Sequence, residues 1–101
     1  MPLTADRKKA LRTLGHNLKP VVTVADKGLT EGVAEELNRA LNDHELIKVK
    51  LAVNDRDARR ELIAELCQQS GAELVQEIGK IALIFRKADK PNARLSNLLR
   101  P

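Results

Sequence analysis

The chain predicts an α/β protein of the α+β two-layer sandwich class, with the order α-β-α-β-α-β-β and a four-stranded mixed sheet. Three observations carry this. Two strand–helix–strand alternations run through residues 21–78, and such units demand crossover connections and parallel pairs. Capping residues stand just before each helical period, at Thr4, Thr30 and Asn54-Asp55. Two apolar runs, 74–78 and 81–85, are separated by Gly79-Lys80 alone, a two-residue hairpin signal that adds an antiparallel partner.

The first helix is expected from the Thr4 cap to about Leu14, with Gly15 as its stop. Leu3, Ala10, Leu11 and Leu14 fall on one side of it, with Leu18 following. Lys8, Arg12 and His16 recur every four residues on the other side, with Lys9 beside them. A solvated polar face explains such a stripe most simply, yet no acidic side chain interrupts it. Lys19-Pro20 leads into a β-branched strand at Val21 to Val24, where proline is tolerated at the entry.

The second helix should run from Thr30 to about Asn42, with Val33, Leu37 and Leu41 inward and Glu31, Glu35 and Glu36 outward. From Leu46 to Val53 the chain alternates, with Ile47, Val49, Leu51 and Val53 on one face and Lys48 and Lys50 on the other. The third helix places Ala58, Leu62 and Leu66 inward and ends at Ser70-Gly71. The strand 81–85 is apolar on both faces and should therefore be central and covered. Residues 1–86 are read as one domain, and residues 87–101 as a basic, mostly flexible tail in which Leu95, Leu98 and Leu99 suggest a short helix.

Composition bounds the function. With 101 residues there is room for one core, and 43% hydrophobic against 32% charged residues marks a folded chain rather than a disordered one. The single cysteine, Cys67, cannot form an internal disulfide, and no apolar run approaches a membrane span. A cytoplasmic, soluble monomer is the expectation. The charge is unevenly spread: residues 1–28 carry six Lys/Arg against two acids, and residues 79–101 six against one. Residues 29–45 reverse this, with one against five. Basic ends around an acidic middle suggest a face for a polyanion.

Phe85 is the only aromatic residue, which excludes a sheet platform that grips single-stranded RNA by stacking bases on aromatics. A nucleic-acid partner would have to be met through phosphates, shape and charge. Catalysis finds no foothold: His16 and His44 are the only histidines, Cys67 has no histidine near it in sequence, and no metal-ligand or Walker spacing occurs. No catalytic residue, metal site or cofactor is predicted.

The segment Val24-Ala25-Asp26-Lys27-Gly28-Leu29-Thr30 joins a strand to a capped helix through a turn glycine. Such a turn can aim backbone N–H groups at an anion, and Lys27 would add a full charge. Any strand-to-helix connection also needs a turn glycine and a cap, and Asp26 and Glu31 oppose an anion at this point.

Four stretches carry a family resemblance: Leu14-Gly15-His16-Asn17-Leu18-Lys19-Pro20-Val21, Lys27-Gly28-Leu29-Thr30-Glu31-Gly32-Val33, His44-Glu45-Leu46-Ile47-Lys48-Val49-Lys50, and Ile78-Gly79-Lys80 leading to Phe85-Arg86. In this order and spacing, covering roughly residues 3–87, they resemble the CRM domain family (chloroplast RNA splicing and ribosome maturation), and especially its stand-alone bacterial YhbY-like members. The resemblance implies an RNA-binding domain folded like the C-terminal domain of translation initiation factor three. It also implies association with precursors of the large ribosomal subunit. The family's loop after the first strand commonly reads Gly-x-x-Gly; here the first glycine is Ala25, and Phe85 stands where the family commonly has Tyr.

The expectation is thus a non-enzymatic protein that binds ribosomal RNA through Lys8, Lys9, Arg12, His16, Lys19, Lys27, Gly28, Lys48, Lys50 and Lys80. A rival reading is an adaptor whose acidic second helix docks a basic ribosomal protein.

Overall fold

Each helix starts on a polar side chain that accepts an otherwise unpaired N–H of the first turn. Thr4 Oγ1 accepts from Arg7 N (3.1 Å), Thr30 Oγ1 from Val33 N (3.3 Å) and Asp55 Oδ1 from Asp57 N (3.0 Å). The computed structural model describes residues 3–98. The helices are α1 (Ala5–Gly15), α2 (Glu31–His44) and α3 (Arg56–Ser70). The strands are β1 (Pro20–Val24), β2 (Leu46–Leu51), β3 (Glu73–Ile78) and β4 (Ile81–Phe85). The sheet order is β1-β2-β4-β3. β1 and β2 are parallel, and β4 pairs antiparallel with both β2 and β3. The α+β class, the element order and the mixed sheet with β4 inside it are as predicted.

The layering differs from the two-layer expectation. One face of the sheet buries Val22, Val24, Ile47, Val49, Leu51, Ala82 and Ile84 under Leu37 and Leu41 of α2 and Leu62, Ile63 and Leu66 of α3. The opposite face buries Leu46, Val75 and Leu83 under Leu11 of α1. Helices therefore cover both faces. The cause is a second, smaller apolar set, hidden in the sequence because Leu46 precedes the clean alternation and Val75 sits at an irregularity of β3 between Leu74 and Gln76. Burying Leu11 completely is worth about 1.5–3 kcal/mol, enough to fix α1 on the sheet.

Two sequence assignments on α1 change. Ala10 is exposed rather than inward, because the helix turns Leu11 and Gly15 to the sheet. Gly15 does not stop the helix by a left-handed turn; it is the last helical residue and is buried. A Cβ there would lie 2.7 Å and 2.8 Å from the two methyls of Leu83, so the glycine lets α1 approach β4 closely. Gly79 (φ 56°) supplies the first position of the β3–β4 turn, as a two-residue hairpin of the II′ kind requires.

Between α2 and β2 no glycine is present, and Glu45 takes the positive φ (63°) instead. Such a conformation costs on the order of 1–3 kcal/mol for a side-chain-bearing residue. Glu45 is nearly fully buried, and its contacts hold it there. Its carbonyl accepts from Arg86 N (2.9 Å), Oε2 from Ala88 N (3.0 Å) and Oε1 from Ser96 Oγ (2.8 Å).

Those bonds hold Ala88 and Ser96, both within the stretch 87–101 expected from sequence to be mostly flexible. Ala88 and Ser96 are buried, and Asn97 donates its side-chain amide to Leu46 O (2.6 Å). Residues 93–98 form turns rather than a short helix, and Leu99 lies outside the described residues. A polar clamp, not apolar periodicity, anchors this segment, so its sequence resembles a loose tail. Arg86 adds a further staple: its guanidinium donates to Asn38 Oδ1 (2.8 Å), Asn42 Oδ1 (3.0 Å) and Ser70 O (2.7 Å), joining α2 to the end of α3.

Candidate nucleic-acid interface

At 3.6 residues per turn, fixing Leu11 and Gly15 on the sheet places Lys8 and Arg12 along one flank of α1. Both are half-buried there, while Lys9 on the outer side is exposed. His16 follows one turn after Arg12 as the C-cap. Lys8 and Arg12 are therefore not opposite the sheet, as the sequence suggested, but look along it, and of the three only Lys9 faces outward from the middle of the helix.

The α1 helix covers only part of its sheet face. Lys48 on β2 points to the uncovered part, and its Nζ donates to His16 O (3.3 Å), one of the carbonyls left without an intrahelical partner. Arg12, His16 and Lys48 thus share one cleft of about 220 Å³. Leu18, Pro20, Ile81 and Leu83 make its apolar floor, with Ile78 at the mouth and Gln76 and Gly15 completing the wall. Among the described residues no carboxylate lines it. Lys50 lies two residues further along β2, on the same face and exposed, roughly 7 Å on at strand spacing. It pairs with Thr23 on one side and Ile81 on the other. Beyond it, Lys80 in the hairpin donates to Asn54 Oδ1 (2.7 Å) at the far end of the sheet. Arg12, His16, Lys48 and Lys50 accordingly follow one face of the sheet, whereas Lys80 turns toward Asn54 at the start of α3.

The other predicted residues are not brought to this cleft. Lys19 lines a separate depression with Leu18, Val21, His44, Ile47 and Asn97. Lys27 and Gly28 sit at the opposite end of β1. Gly28 has φ 75°, and its N–H donates to Ala25 O (2.8 Å), so it closes the turn rather than facing outward. Ala25 does not take a positive φ, and the alanine is accommodated where the family commonly has glycine. The depression beside this loop is lined by Asp26, Glu61 and Glu65, a carboxylate wall that lowers the local affinity for an anion.

Gln76, Ile78 and Ile81 escaped the sequence reading. Their signal lay in the pairing register, since Lys48 faces Leu83 and Lys50 faces Ile81 across β2 and β4. Phe85 is half-buried against the Leu11 cluster, and the Arg7 guanidinium lies 5.7 Å from its ring centroid. Neither residue is on the cleft.

The remaining reactive side chains are engaged elsewhere. His44 Nδ1 is hydrogen-bonded to Leu95 O (2.8 Å), where the ring nitrogen must be the donor. Burial pushes the Cys67 thiol up from its ordinary range, and the charge of Glu73 adds to this, so the thiol stays protonated at neutral pH. Among the described residues no group of three His, Cys, Asp or Glu is placed to hold a metal, and no helix is long and apolar enough to cross a membrane.

Comparison with known proteins agrees with this geometry. The family model described as the CRS1 / YhbY (CRM) domain matches residues 3–86. The "Probable RNA-binding protein PA4753" of Pseudomonas aeruginosa is 62% identical over 100 residues, covering 99% of this chain and 96% of that one. An "RNA-binding protein" of Haemophilus influenzae is 41% identical over 93 residues, covering 92% and 94%. The solution structure of the hypothetical protein SAV1595 from Staphylococcus aureus superposes with a TM-score of 0.78 at 34% identity, covering 88% of this chain and 93% of that one. With nearly its whole folded length matched, this chain belongs to the CRS1/YhbY (CRM) domain family.

Proposed function

We propose that this protein binds RNA, that its RNA is ribosomal RNA in precursors of the large subunit, and that it assists their assembly without catalysing a reaction. It would act as a cytoplasmic monomer. One observation carries this reading: Arg12, His16 and Lys48 converge on a cleft that no carboxylate lines, and Lys50 extends the same face. Three cationic or protonatable groups held by a helix and a strand form a preorganised surface for phosphates, and releasing the RNA's counterions supplies the affinity. With no Phe, Tyr or Trp among the described residues that line the cleft, register on the RNA would come from backbone contacts and shape. The names of the related proteins and the family membership support RNA as the partner.

Crosslinking in cells followed by sequencing of the bound RNA tests it. Reads concentrated on large-subunit ribosomal RNA are the expected result; reads spread over messenger RNAs would overturn the ribosomal part.

A second reading follows from α2, whose Glu31, Glu35 and Glu36 are all exposed. Such a face suits a basic ribosomal protein. Changing the three to Lys separates the readings. RNA binding and large-subunit association both survive if RNA is the primary partner. Association is lost with RNA binding intact if α2 is the docking face.

A further inference from the structure

Phosphate recognition accounts for the rim of the Arg12–His16–Lys48 cleft but not for its floor. A phosphate gains nothing from Ile81 and Leu83, and Ile78 at the mouth, 64% exposed, extends the same apolar surface outward. A ligand that satisfies both parts needs a flat or compact apolar body joined to an anionic group. An unpaired nucleotide has this chemistry, and unpaired bases turned out of their stack are what proteins read in structured RNA.

We propose, building on the RNA-binding reading, that this cleft receives a single unpaired nucleotide of the bound RNA. Its base lies against Ile78 and Ile81, above the nearly buried Leu83, and its phosphate lies between Arg12 and Lys48. The Lys48 ammonium is held by a neutral carbonyl and carries no carboxylate partner in the cleft, so its charge is free to act on a phosphate. Gln76, with both a donor and an acceptor in its amide, is the side chain placed to meet a base edge. Aliphatic walls hold a base by burial rather than by stacking, so the site distinguishes the presence of a base more than its identity.

The test uses the full chain and two hairpin RNAs: one with a single bulged nucleotide, the other abasic at that position. Wild type should bind the base-bearing hairpin about tenfold more tightly, the equivalent of burying one modest apolar surface. Ile78→Ser, at an exposed position that the fold does not depend on, should bring the two within about twofold. Lys48→Gln should weaken both hairpins alike and preserve their ratio. Independently of any variant, AMP should shift the methyl resonances of Ile78, Ile81 and Leu83 in wild type, and inorganic phosphate should not. Equal binding of the two hairpins, an unchanged ratio in Ile78→Ser, or methyl shifts produced by a poly-glutamate peptide and not by AMP would each overturn the nucleotide pocket. Failure to bind either hairpin at low salt would overturn the RNA reading itself, whereas tight and equal binding of both leaves that reading standing.

Discussion

At the start of β1, the cleft formed by Arg12, His16 and Lys48 has cations on its rim and no acid, whereas at its end the Ala25–Gly28 loop looks onto Glu61 and Glu65. The loop has the better local signature, with a turn glycine, a lysine and a capped helix in one short stretch. The cleft has no local signature, since α1, β2, β3 and β4 each contribute to it. The difference teaches that an anion site is decided by what packs around it. Gly28 uses its N–H inside the turn, and α3 brings carboxylates alongside. At the other end, α1 brings only basic and neutral side chains over the open sheet.

This contrast can be broken by exchanging charges, and the largest effect should come from the cleft. Arg12→Glu with Lys48→Glu should weaken binding to a structured RNA by more than about thirtyfold and lower the salt slope by roughly 2 units. Melting temperature should fall by only a few degrees, from the lost Lys48 bond to the His16 carbonyl and the carboxylate set near the C-terminus of α1. Fluorescence anisotropy across a salt series measures both quantities.

The loop should respond in stability rather than in binding. Gly28→Ala keeps ordinary contact with Leu62 (3.9 Å from the added Cβ) but forces φ 75° on an L residue. It should cost about 1–2 kcal/mol in denaturant unfolding with RNA affinity unchanged. An affinity loss larger than the stability loss would return the loop to the RNA face.

Smaller effects sharpen the comparison. Glu61→Lys with Glu65→Lys removes the carboxylate wall, and RNA binding should tighten by about threefold to tenfold at low salt, an increment that shrinks as salt rises. Lys27→Ala, at an exposed position beside Asp26, should change affinity by less than about threefold and stability by less than about 0.5 kcal/mol.

Much of the fold was legible because it was written in local chemistry. Thr4, Thr30 and Asp55 are the observed caps, and Gly71 ends α3 with φ 75° as a left-handed residue should. The alternation through Ile47, Val49 and Leu51 does face the core. What was not legible depends on contacts distant in sequence. Gly15 looked like a helix stop, but its role is to admit Leu83, some seventy residues away. Glu45 has no local signal for a positive φ, and its reason lies in Arg86, Ala88 and Ser96. The candidate site divided along the same line. Lys8, Arg12 and His16 were visible as a stripe. The roll that lays the stripe along the sheet, and the register that sets Lys48 opposite Leu83, come from tertiary packing.

In the proposed reading, RNA meets the α1 side of the sheet and not the Gly28 loop. Resonance mapping of the isotopically labelled protein with a fragment of large-subunit ribosomal RNA tests this most directly. The largest perturbations are expected at Arg12, Gly15, His16, Lys48 and Lys50, with the amides of Asp26 to Thr30 nearly unmoved. Perturbations centred on Asp26 to Thr30, with the Arg12–Lys48 cleft unchanged, would contradict it.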